Sequence, residues 1–562
     1  MAADIRSALD RRVFLHLAGG AALGAALTGT ADAAHSAPQA PAAPPATEPP
    51  LPPLPDQLAG GVVTTPDAPL RPPRTNRAPA PDRGSVPATL PFLFHTAGYR
   101  TRSDLPESMQ PWRDRPTAWA HVTPDGDHTY LDASGVLKYR PRRTAAGYDQ
   151  PVSQIQFALG CLTSHRTETD PFRRALFLRR AKTQAQRLID TRVEARGAWY
   201  FPYPFDFTHP SHGGVSYRAP WYSGMAQGEA ISLFIQLAQL DAVTEQERAL
   251  YRSAADGAFA SLLRADDAAP WVVNRDGDGY LWIQEYPGAE PGTGDCTYNG
   301  MIFAMFGLWD YVRATGNTLA AQLYDGACTT VDHHFPALRN RRWASYYCLT
   351  HRIPTPSYHQ HHINLFRQLH WQTGNPRFAH MSDVLTDDFP AGFVRAGSRA
   401  VLAAGTHTLY RYATDADGDF VASEGDAELA RKKVTFTRTT QAPVNRRRRI
   451  RGRGVAYRIA QGAYEGWWAG EAFPRVFLVG EHLPTTYRPA RTLTFPADTP
   501  VTCYRPSTGR RGERTRTVTF AKPSSAPFDR RAIVNGRPMC RISTGALTGY
   551  WVPAGKVATD GR

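Results

Sequence analysis

The last third of the chain repeats itself, and this repeat constrains the fold more than any other feature. Short segments between residues 408 and 468 recur in the same order between residues 502 and 551. Val434-Thr435-Phe436, for example, returns as Val518-Thr519-Phe520, and Trp467-Trp468 returns as Tyr550-Trp551. Both copies consist of runs rich in Val, Thr and Tyr between turn residues, which is typical of short strands. The repeat predicts two tandem all-β modules, at residues 396–480 and 481–562.

The preceding part has the apolar period of helices, arranged in pairs. Two pairs turn on the same triplet, Thr-Gly-Asn, at residues 315–317 and 373–375, where glycine suits the left-handed conformation that ends a helix. Four helical hairpins in series predict an α/α toroid-like domain over residues 91–395, with short β elements at its amino-terminal side. An ordinary helical bundle is the alternative. The predicted pairs are 151–160 with 172–189, 225–240 with 245–263, 299–313 with 318–335, and 358–372 with 376–385.

The amino-terminal sequence has the pattern of a targeting signal followed by a linker. Asp10-Arg11-Arg12-Val13-Phe14-Leu15 is a twin-arginine pattern, and an Ala/Gly/Leu stretch follows it. Sixteen of the 47 prolines then fall within residues 35–90, a composition that cannot bury enough apolar surface to order itself. We predict a bacterial twin-arginine signal peptide at residues 1–33 and a Pro-rich linker at 34–90. The protein is then secreted or associated with the cell surface, with no membrane-spanning segment after signal removal.

Positive charge is concentrated in the repeat. Residues 401–555 contain 25 lysine and arginine residues against 12 acidic residues, so this block carries +13 of the net +15. The densest part holds Arg446 to Arg449, Arg451 and Arg453. An anionic glycan or cell wall is the partner that this charge favours, and nucleic acid is a poor partner outside the cell. We expect the block to bind by charge without supplying a catalytic group. A solvated surface that only maintains solubility is the alternative.

Two further patterns limit the chemistry. The six cysteines include no CxxC pair, which excludes a zinc ribbon and a thioredoxin-type motif and leaves the redox state open. Asp276-Gly277-Asp278-Gly279 lies between two apolar runs and predicts the turn of a β-hairpin. A calcium loop would need a glutamate at a fixed downstream offset, and this segment lacks it.

Several motifs in the helical part point to one family. They are Trp221 to Gly228, Glu285-Tyr286-Pro287, Tyr298 to Tyr311 and Tyr358 to Ile363. Together, over about residues 148–390, they resemble the carboxy-terminal domain of the D-glucuronyl C5-epimerases. The resemblance implies an α/α catalytic domain that converts D-glucuronosyl to L-iduronosyl residues within heparosan-type polymers.

Inversion at C5 needs a base on one face of the sugar, an acid on the other, and positive groups that neutralise the carboxylate. Tyrosine can fill either proton-transfer role when its pKa is shifted. The resemblance implies that Tyr286 and Tyr358 are catalytic, with Tyr347 or its neighbour Tyr346 as a third tyrosine. Glu285 is either a further acid/base or an anchor for a substrate hydroxyl.

The segment Tyr347-Cys348-Leu349-Thr350 stands where vertebrate family members have Tyr-Asp-Leu-Arg. The arginine of the family motif is therefore absent here, and Arg218 and Arg352 are the two candidates for binding the substrate carboxylate. We predict further substrate contacts at Tyr222, Gln227, His359, His362 and Tyr346.

Histidines one helical turn apart, such as His359 and His362, raise the question of a metal site, with His351 upstream. No acidic or cysteine ligand stands at a matching offset from them, so we predict no metal. Since no Gly-rich dinucleotide fingerprint occurs, we also predict no cofactor.

Two other functions remain open. A polysaccharide lyase begins with the same C5 proton abstraction and then eliminates the 4-O substituent. A noncatalytic protein that binds cell wall or anionic glycan needs only a groove and the basic repeat. Neither the uronate polymer nor the oligomeric state follows from the sequence.

Overall fold

The structure is a computed structural model. It describes residues 75–77, 93–95, 99–105, 122–124, 130–140, 147–209, 212, 214–264, 269–290, 293–413, 428–505 and 514–562. The predicted signal peptide lies outside the described residues. So does the predicted linker, apart from residues 75–77, which form strand β1 (Thr75–Arg77) and pair with β2 (Leu93–His95).

Eight helices occupy the described part of the predicted helical domain, at the positions that the apolar period indicated. They are α1 (Pro151–Thr167), α2 (Pro171–Thr191), α3 (Gly224–Ala238), α4 (Glu245–Ser261), α5 (Tyr298–Thr315), α6 (Thr318–Leu338), α7 (Pro356–Thr373) and α8 (Pro376–Asp388). Three short hairpins stand before α3 and α5. Their strands are β3 (Val193–Ala195), β4 (Ala198–Tyr200), β5 (Phe207–His209), β6 (Val215–Tyr217), β7 (Val273–Arg275) and β8 (Leu281–Ile283).

The helices form two rows. Each odd-numbered helix packs on the next even-numbered one, and α1, α3, α5 and α7 also pack on one another in that order. Every residue of α3 is buried, and so is the span 298–311 of α5, as expected for helices of an inner row. Because each even-numbered helix returns the chain, the inner helices all begin at the same end of the domain.

Local sequence explains both the turns and the close packing. In each Thr-Gly-Asn triplet the glycine is left-handed, with φ of 68° at Gly316 and 71° at Gly374, and the asparagine caps the next helix. The contact between α3 and α5 depends on Gly228 and Gly307, since a Cβ on either would overlap backbone of the other helix. The Asp-Gly segment does form the turn between β7 and β8, where Asp276 accepts backbone N–H bonds from Asp278 and Tyr280.

Two antiparallel sheets follow the helices, each with seven strands in the described residues. The first contains β9 (Arg399–Leu402), β10 (Gly405–Tyr412), β11 (Glu428–Phe436), β12 (Thr440–Ile450), β13 (Gly454–Ile459), β14 (Trp468–Gly470) and β15 (Val476–Leu478). The second contains β16 (Glu481–Phe495), β17 (Val501–Arg505), β18 (Arg514–Val518), β19 (Ser524–Val534), β20 (Arg537–Ile542), β21 (Trp551–Pro553) and β22 (Ala558–Thr559).

The two sheets have the same strand order, β11-β10-β14-β13-β12-β9-β15 and β18-β17-β21-β20-β19-β16-β22. Single contacts recur as well. Arg453 lies 4.1 Å over the ring of Tyr410 in the first sheet, and Arg537 lies 4.1 Å over Tyr504 in the second. The sequence repeat therefore corresponds to a repeat of strand order and of side-chain contacts.

Both sheets pack against the end of the helical domain. In the arginine-rich strand β12, Arg447 is buried and donates to the carbonyl of Ala391 at 3.1 Å, and Arg449 donates to the carbonyl of Asp387 at 2.7 Å. Arg451 lies 4.8 Å over the ring of Trp343. Part of the arginine cluster thus holds the first sheet against the helices, which the charge pattern alone did not indicate.

Within the described residues, no helix is both long enough and apolar enough to cross a bilayer. The six cysteines are all unpaired thiols.

Candidate active site

Three loops meet at the end of the domain where the inner helices begin. One follows β5 and includes His212, with His209 as the last residue of that strand. A second links β8 to α5 and includes Glu285 and Tyr286, and a third precedes α7 and includes Tyr347. Tyr358 lies in the first turn of α7. Since the inner helices share a direction, residues far apart in sequence come together here.

Glu285 and Tyr286 form the centre of this cluster. The Glu285 carboxylate accepts a hydrogen bond from the Tyr286 hydroxyl and one from Asn299 Nδ2, the latter at 3.1 Å. Burial raises the pKa of Glu285 to about 8, despite those two hydrogen bonds, and the nearby Glu229 carboxylate adds to the rise. The Glu285 carboxyl group can therefore take up or release a proton near neutral pH.

Tyr347 and Tyr358 complete the tyrosine cluster. Their rings meet edge to face, with centroids 4.5 Å apart, and Tyr347 is fully buried while Tyr358 is half-buried. Burial raises the pKa of Tyr347 well above its ordinary value, and the charges of Glu285 and Tyr286 raise it further. Burial also raises the pKa values of Tyr286 and Tyr358. All three tyrosines are therefore phenols, not phenolates, in this environment.

Two histidines that the sequence reasoning did not single out line the same cluster. His212 lies 5.1 Å from both Tyr286 and Tyr347, measured between ring centroids, and His209 lies 4.8 Å from Tyr286. Burial lowers the pKa of His209 to about 3, and the adjacent His212 contributes to this, so His209 is neutral. The short His-x-x-His spacing at 209–212 was the one sequence signal that could have indicated them.

Asp295 contacts the loop that contains His212, here called the histidine loop, and links it to the other two loops. Its carboxylate accepts the Tyr217 hydroxyl at 2.5 Å, contacts His212 Nδ1, and lies 3.6 Å from His351 Nδ1. Burial opposes ionisation of Asp295, but the contacts with His212 and Tyr217 lower its pKa below the ordinary value. Asp295 is therefore an anion at neutral pH. Three side chains beside it, His212, Cys348 and His351, have potential metal-ligand atoms within 4.8 Å of one another.

One side of the site is an aromatic wall. Trp221 stacks on Tyr203 with centroids 3.9 Å apart and on Tyr286 at 6.0 Å, and Phe207 stacks on Trp221 at 5.9 Å. Flat aromatic faces of this kind are suited to packing against a sugar ring.

The predicted substrate contacts on α3 and before it are used in packing. Gln227 is fully buried and its amide donates to the Trp199 carbonyl at 2.6 Å and to Ser261 Oγ at 2.8 Å. Tyr222 is half-buried, and its ring meets Tyr200 at 5.6 Å. The geometry favours a structural role for Gln227 over the predicted contact with substrate.

His359 and His362 both bond to Ser345 of the loop that precedes α7, and His359 also bonds to the backbone of α8. His359 Nδ1 accepts the Ser345 N–H at 2.9 Å, and its Nε2 donates to the Leu385 carbonyl at 2.9 Å. His362 Nδ1 pairs with Ser345 Oγ at 2.8 Å. Both histidines therefore position the loop that carries Tyr347.

The remaining predicted residues lie towards solvent. Arg218 is exposed and forms an ion pair with Asp206, and Arg352 is exposed and lies 5.0 Å over the ring of Tyr346. Within the described residues, neither arginine contacts the tyrosine cluster. Between the two alternatives for the third tyrosine, the geometry favours Tyr347, since Tyr346 packs under Arg352.

The tyrosines, Glu285 and the histidine loop all fall within one segment of known type. Residues 196–386 match the family described as D-glucuronyl C5-epimerase C-terminus. The resemblance inferred from the motifs is therefore confirmed for this segment, which is about a third of the chain and narrower than the span of 148–390 that we expected. This C5-epimerase-type segment runs from the β3–β4 turn to α8 and includes every predicted site residue.

No curated protein matches the chain. Among solved structures, the chain is similar to the glycoside hydrolase family 76 (mannosidase) Bt3792 from Bacteroides thetaiotaomicron VPI-5482, with 13% identity and a TM-score of 0.29. The alignment covers 44% of this chain and 60% of that one, which is less than two thirds of the mannosidase structure.

Proposed function

We propose that the protein is a polysaccharide uronate epimerase that converts D-glucuronosyl to L-iduronosyl residues. The observation that carries this proposal is the convergence of Tyr286, Tyr347, Tyr358 and Glu285 from separate loops within the C5-epimerase-type segment. Glu285 and Tyr347 are buried, and Tyr286 and Tyr358 are half-buried. Shielding from water is the environment that proton transfer to and from a weakly acidic carbon requires.

Proton abstraction starts at the Glu285 and Tyr286 pair. The Tyr286 oxygen takes the C5 proton while the Tyr286 hydroxyl proton passes to the Glu285 carboxylate, so no free phenolate forms. The electron pair of the broken C–H bond moves into the substrate carboxylate and gives an enediolate.

Return of a proton to the opposite face completes the inversion. Tyr358 donates its hydroxyl proton to C5, and Tyr347, which lies against both Tyr286 and Tyr358, passes a proton from Glu285 and Tyr286 to restore Tyr358. Every proton that leaves the substrate is thereby balanced by one that returns, and the enzyme is regenerated.

The test is incubation of the full chain with a panel of glucuronate polymers in deuterated water, followed by NMR of the product. An epimerase incorporates deuterium at C5 and produces iduronosyl residues without added cofactor. An unsaturated product that absorbs in the ultraviolet would instead identify a lyase. The absence of both deuterium and new product for every polymer would refute the proposal.

The proposed domain organisation follows the predictions made from the sequence. Residues 1–33 direct twin-arginine export, 34–90 form a tether, 91–395 form the α/α toroid-like catalytic domain, and 396–480 and 481–562 are tandem β-modules. The β-modules retain the enzyme on cell wall or anionic glycan through those arginines that do not face the helices. Co-sedimentation with anionic glycan tests this, because binding by charge weakens steeply as salt rises.

A further inference from the structure

Three metal-ligand side chains meet beside the tyrosine cluster. His212, Cys348 and His351 come from two loops, and their nearest nitrogen and sulfur atoms lie within 4.8 Å of one another. Cys348 Sγ is 3.4 Å from His351 Nδ1. Two ligands of one tetrahedral zinc ion, a thiolate and an imidazole, lie about 3.6 Å apart for ordinary zinc–ligand bond lengths.

His212 has the polar surroundings that metal-binding histidines often have. Its ring is fully buried, its Nδ1 faces the Asp295 carboxylate, and its Nε2 makes no hydrogen bond to a described residue. Asp295 is itself held by the Tyr217 hydroxyl. A carboxylate that fixes one imidazole nitrogen and leaves the other for a metal is a recurrent arrangement in zinc sites.

We propose that His212, Cys348 and His351 bind one zinc ion, with Asp295 as the partner that orients His212. Two imidazoles and one thiolate suit zinc better than calcium or magnesium, which prefer oxygen ligands. Three protein ligands leave a fourth position for water or substrate. His212 is 5.1 Å from both Tyr286 and Tyr347, measured between ring centroids, so the three ligands border the proposed active site.

The place of this site suggests its use, a step that rests on the proposed function. Epimerisation requires positive charge at the substrate carboxylate, and the two candidate arginines, Arg218 and Arg352, are exposed and engaged with Asp206 and Tyr346. A zinc ion with an open coordination position would supply positive charge to the substrate carboxylate, which neither arginine contacts.

Binding is tested with Co²⁺ as a spectroscopic substitute for zinc. The full chain, treated with a chelator, is titrated with Co²⁺ and then with competing Zn²⁺. We expect one equivalent of Co²⁺ with a thiolate charge-transfer band, which Zn²⁺ removes. Cys348→Ser should lose the band and bind at least about tenfold more weakly, whereas the control Cys296→Ser should retain both. Asp295→Asn should weaken binding by about 10- to 100-fold while the band persists.

Binding without the thiolate band, less than one equivalent, or an unchanged titration for Cys348→Ser would each overturn the site. If Cys348→Ser does not fold, His351→Gln is used instead, because His351 is only half-buried. That variant should keep the thiolate band and bind Co²⁺ at least about tenfold more weakly, and an unchanged titration would overturn the site.

The metal's role is separated from the proposed function by comparing metal-free and zinc-loaded protein in the deuterium assay. Faster C5 exchange in the loaded protein supports the assignment to the carboxylate. Equal exchange in both forms would overturn that assignment and leave the epimerase proposal intact. One equivalent of bound metal with no exchange in any polymer would refute the epimerase proposal and leave the metal site intact.

Discussion

Among the carboxylates of the candidate site, Glu285 has the pKa that is raised most by its surroundings. Its folded-state pKa of about 8 lies above the ordinary value of 4.5, so folding favours its protonated form. The stability that this provides is complete below pH 4.5 and is lost as pH rises through 8. A neutral isostere at this position should remove that pH dependence.

We therefore predict that Glu285→Gln gains stability relative to the unsubstituted protein as pH rises, by about 3 to 5 kcal/mol above pH 8. Denaturant unfolding at pH 5 and pH 8.5 measures this difference. Turnover of the unsubstituted enzyme should rise towards pH 8, because the Glu285 carboxylate forms over that range. Turnover of Glu285→Gln should not show this rise with pH. The exposed Glu290 of the same loop gives the control, Glu290→Gln, which should change neither property. An equal stability difference at both pH values would contradict the assignment.

The tyrosines give a second prediction for single residues. Tyr286→Phe, Tyr347→Phe and Tyr358→Phe each remove one hydroxyl and preserve the ring, so turnover should fall about 100-fold or more while thermal stability barely changes. Tyr346→Phe is the matched control, because its ring lies under Arg352, and it should retain turnover. Full activity in any of the first three variants would remove that residue from the mechanism.

At the scale of elements, helix α5 approaches the site so closely that only glycine fits at its third residue. A Cβ at Gly300 would overlap the carboxylate and Cβ of Glu285. The first turn of α5 thus fixes the place of the proposed acid/base, together with Asn299 of the same turn.

Gly300→Ala should therefore displace Glu285 and lower both turnover and stability, with a loss of roughly 1 to 3 kcal/mol, as for overpacking elsewhere. Gly277 provides the control, since a Cβ there meets nothing within 4 Å. Unfolding curves and turnover of Gly300→Ala and Gly277→Ala make the comparison. A Gly300→Ala enzyme as active and as stable as Gly277→Ala would show that the close approach has no functional consequence.

Elements were predictable from the sequence wherever the signal was local. The apolar period placed the eight helices, and the Thr-Gly-Asn triplets marked two of their turns, because helices and caps depend on residues only a few positions apart. The histidine loop was missed because His212 becomes informative only when it meets Cys348, 136 positions later in the chain. His359 and His362 were predicted as substrate contacts because spacing alone cannot show that Ser345 and Leu385 bond to both nitrogens of His359 and to Nδ1 of His362.

At the scale of the whole molecule, the helices and the second sheet share a buried polar network. Asp383 of α8 accepts Arg491 Nη1 at 2.7 Å and the Tyr487 hydroxyl at 2.7 Å, and Arg491 also pairs with Asp560 at 2.8 Å. Arg491 is almost completely buried. The sequence suggested β-modules that act independently of catalysis, whereas these contacts make them part of what stabilises α8. A fragment that ends at residue 395 would leave Asp383 without these partners, so we expect it to be less stable than the full chain.

The last prediction compares two aspartates, each of which pairs with an arginine. Asp383→Asn weakens a buried ion pair between domains and should cost about 3 kcal/mol of stability, lowering the melting temperature of the whole chain. Asp529 pairs with Arg541 at 2.7 Å within the second sheet, but both side chains are about one-third exposed, so Asp529→Asn should cost at most about 1 kcal/mol. Calorimetry of the full chain measures both variants. Equal melting temperatures for the two variants would show that the domains are not energetically coupled through this network. Because α8 follows the helix that carries Tyr358, Asp383→Asn should also reduce turnover near its lowered melting temperature.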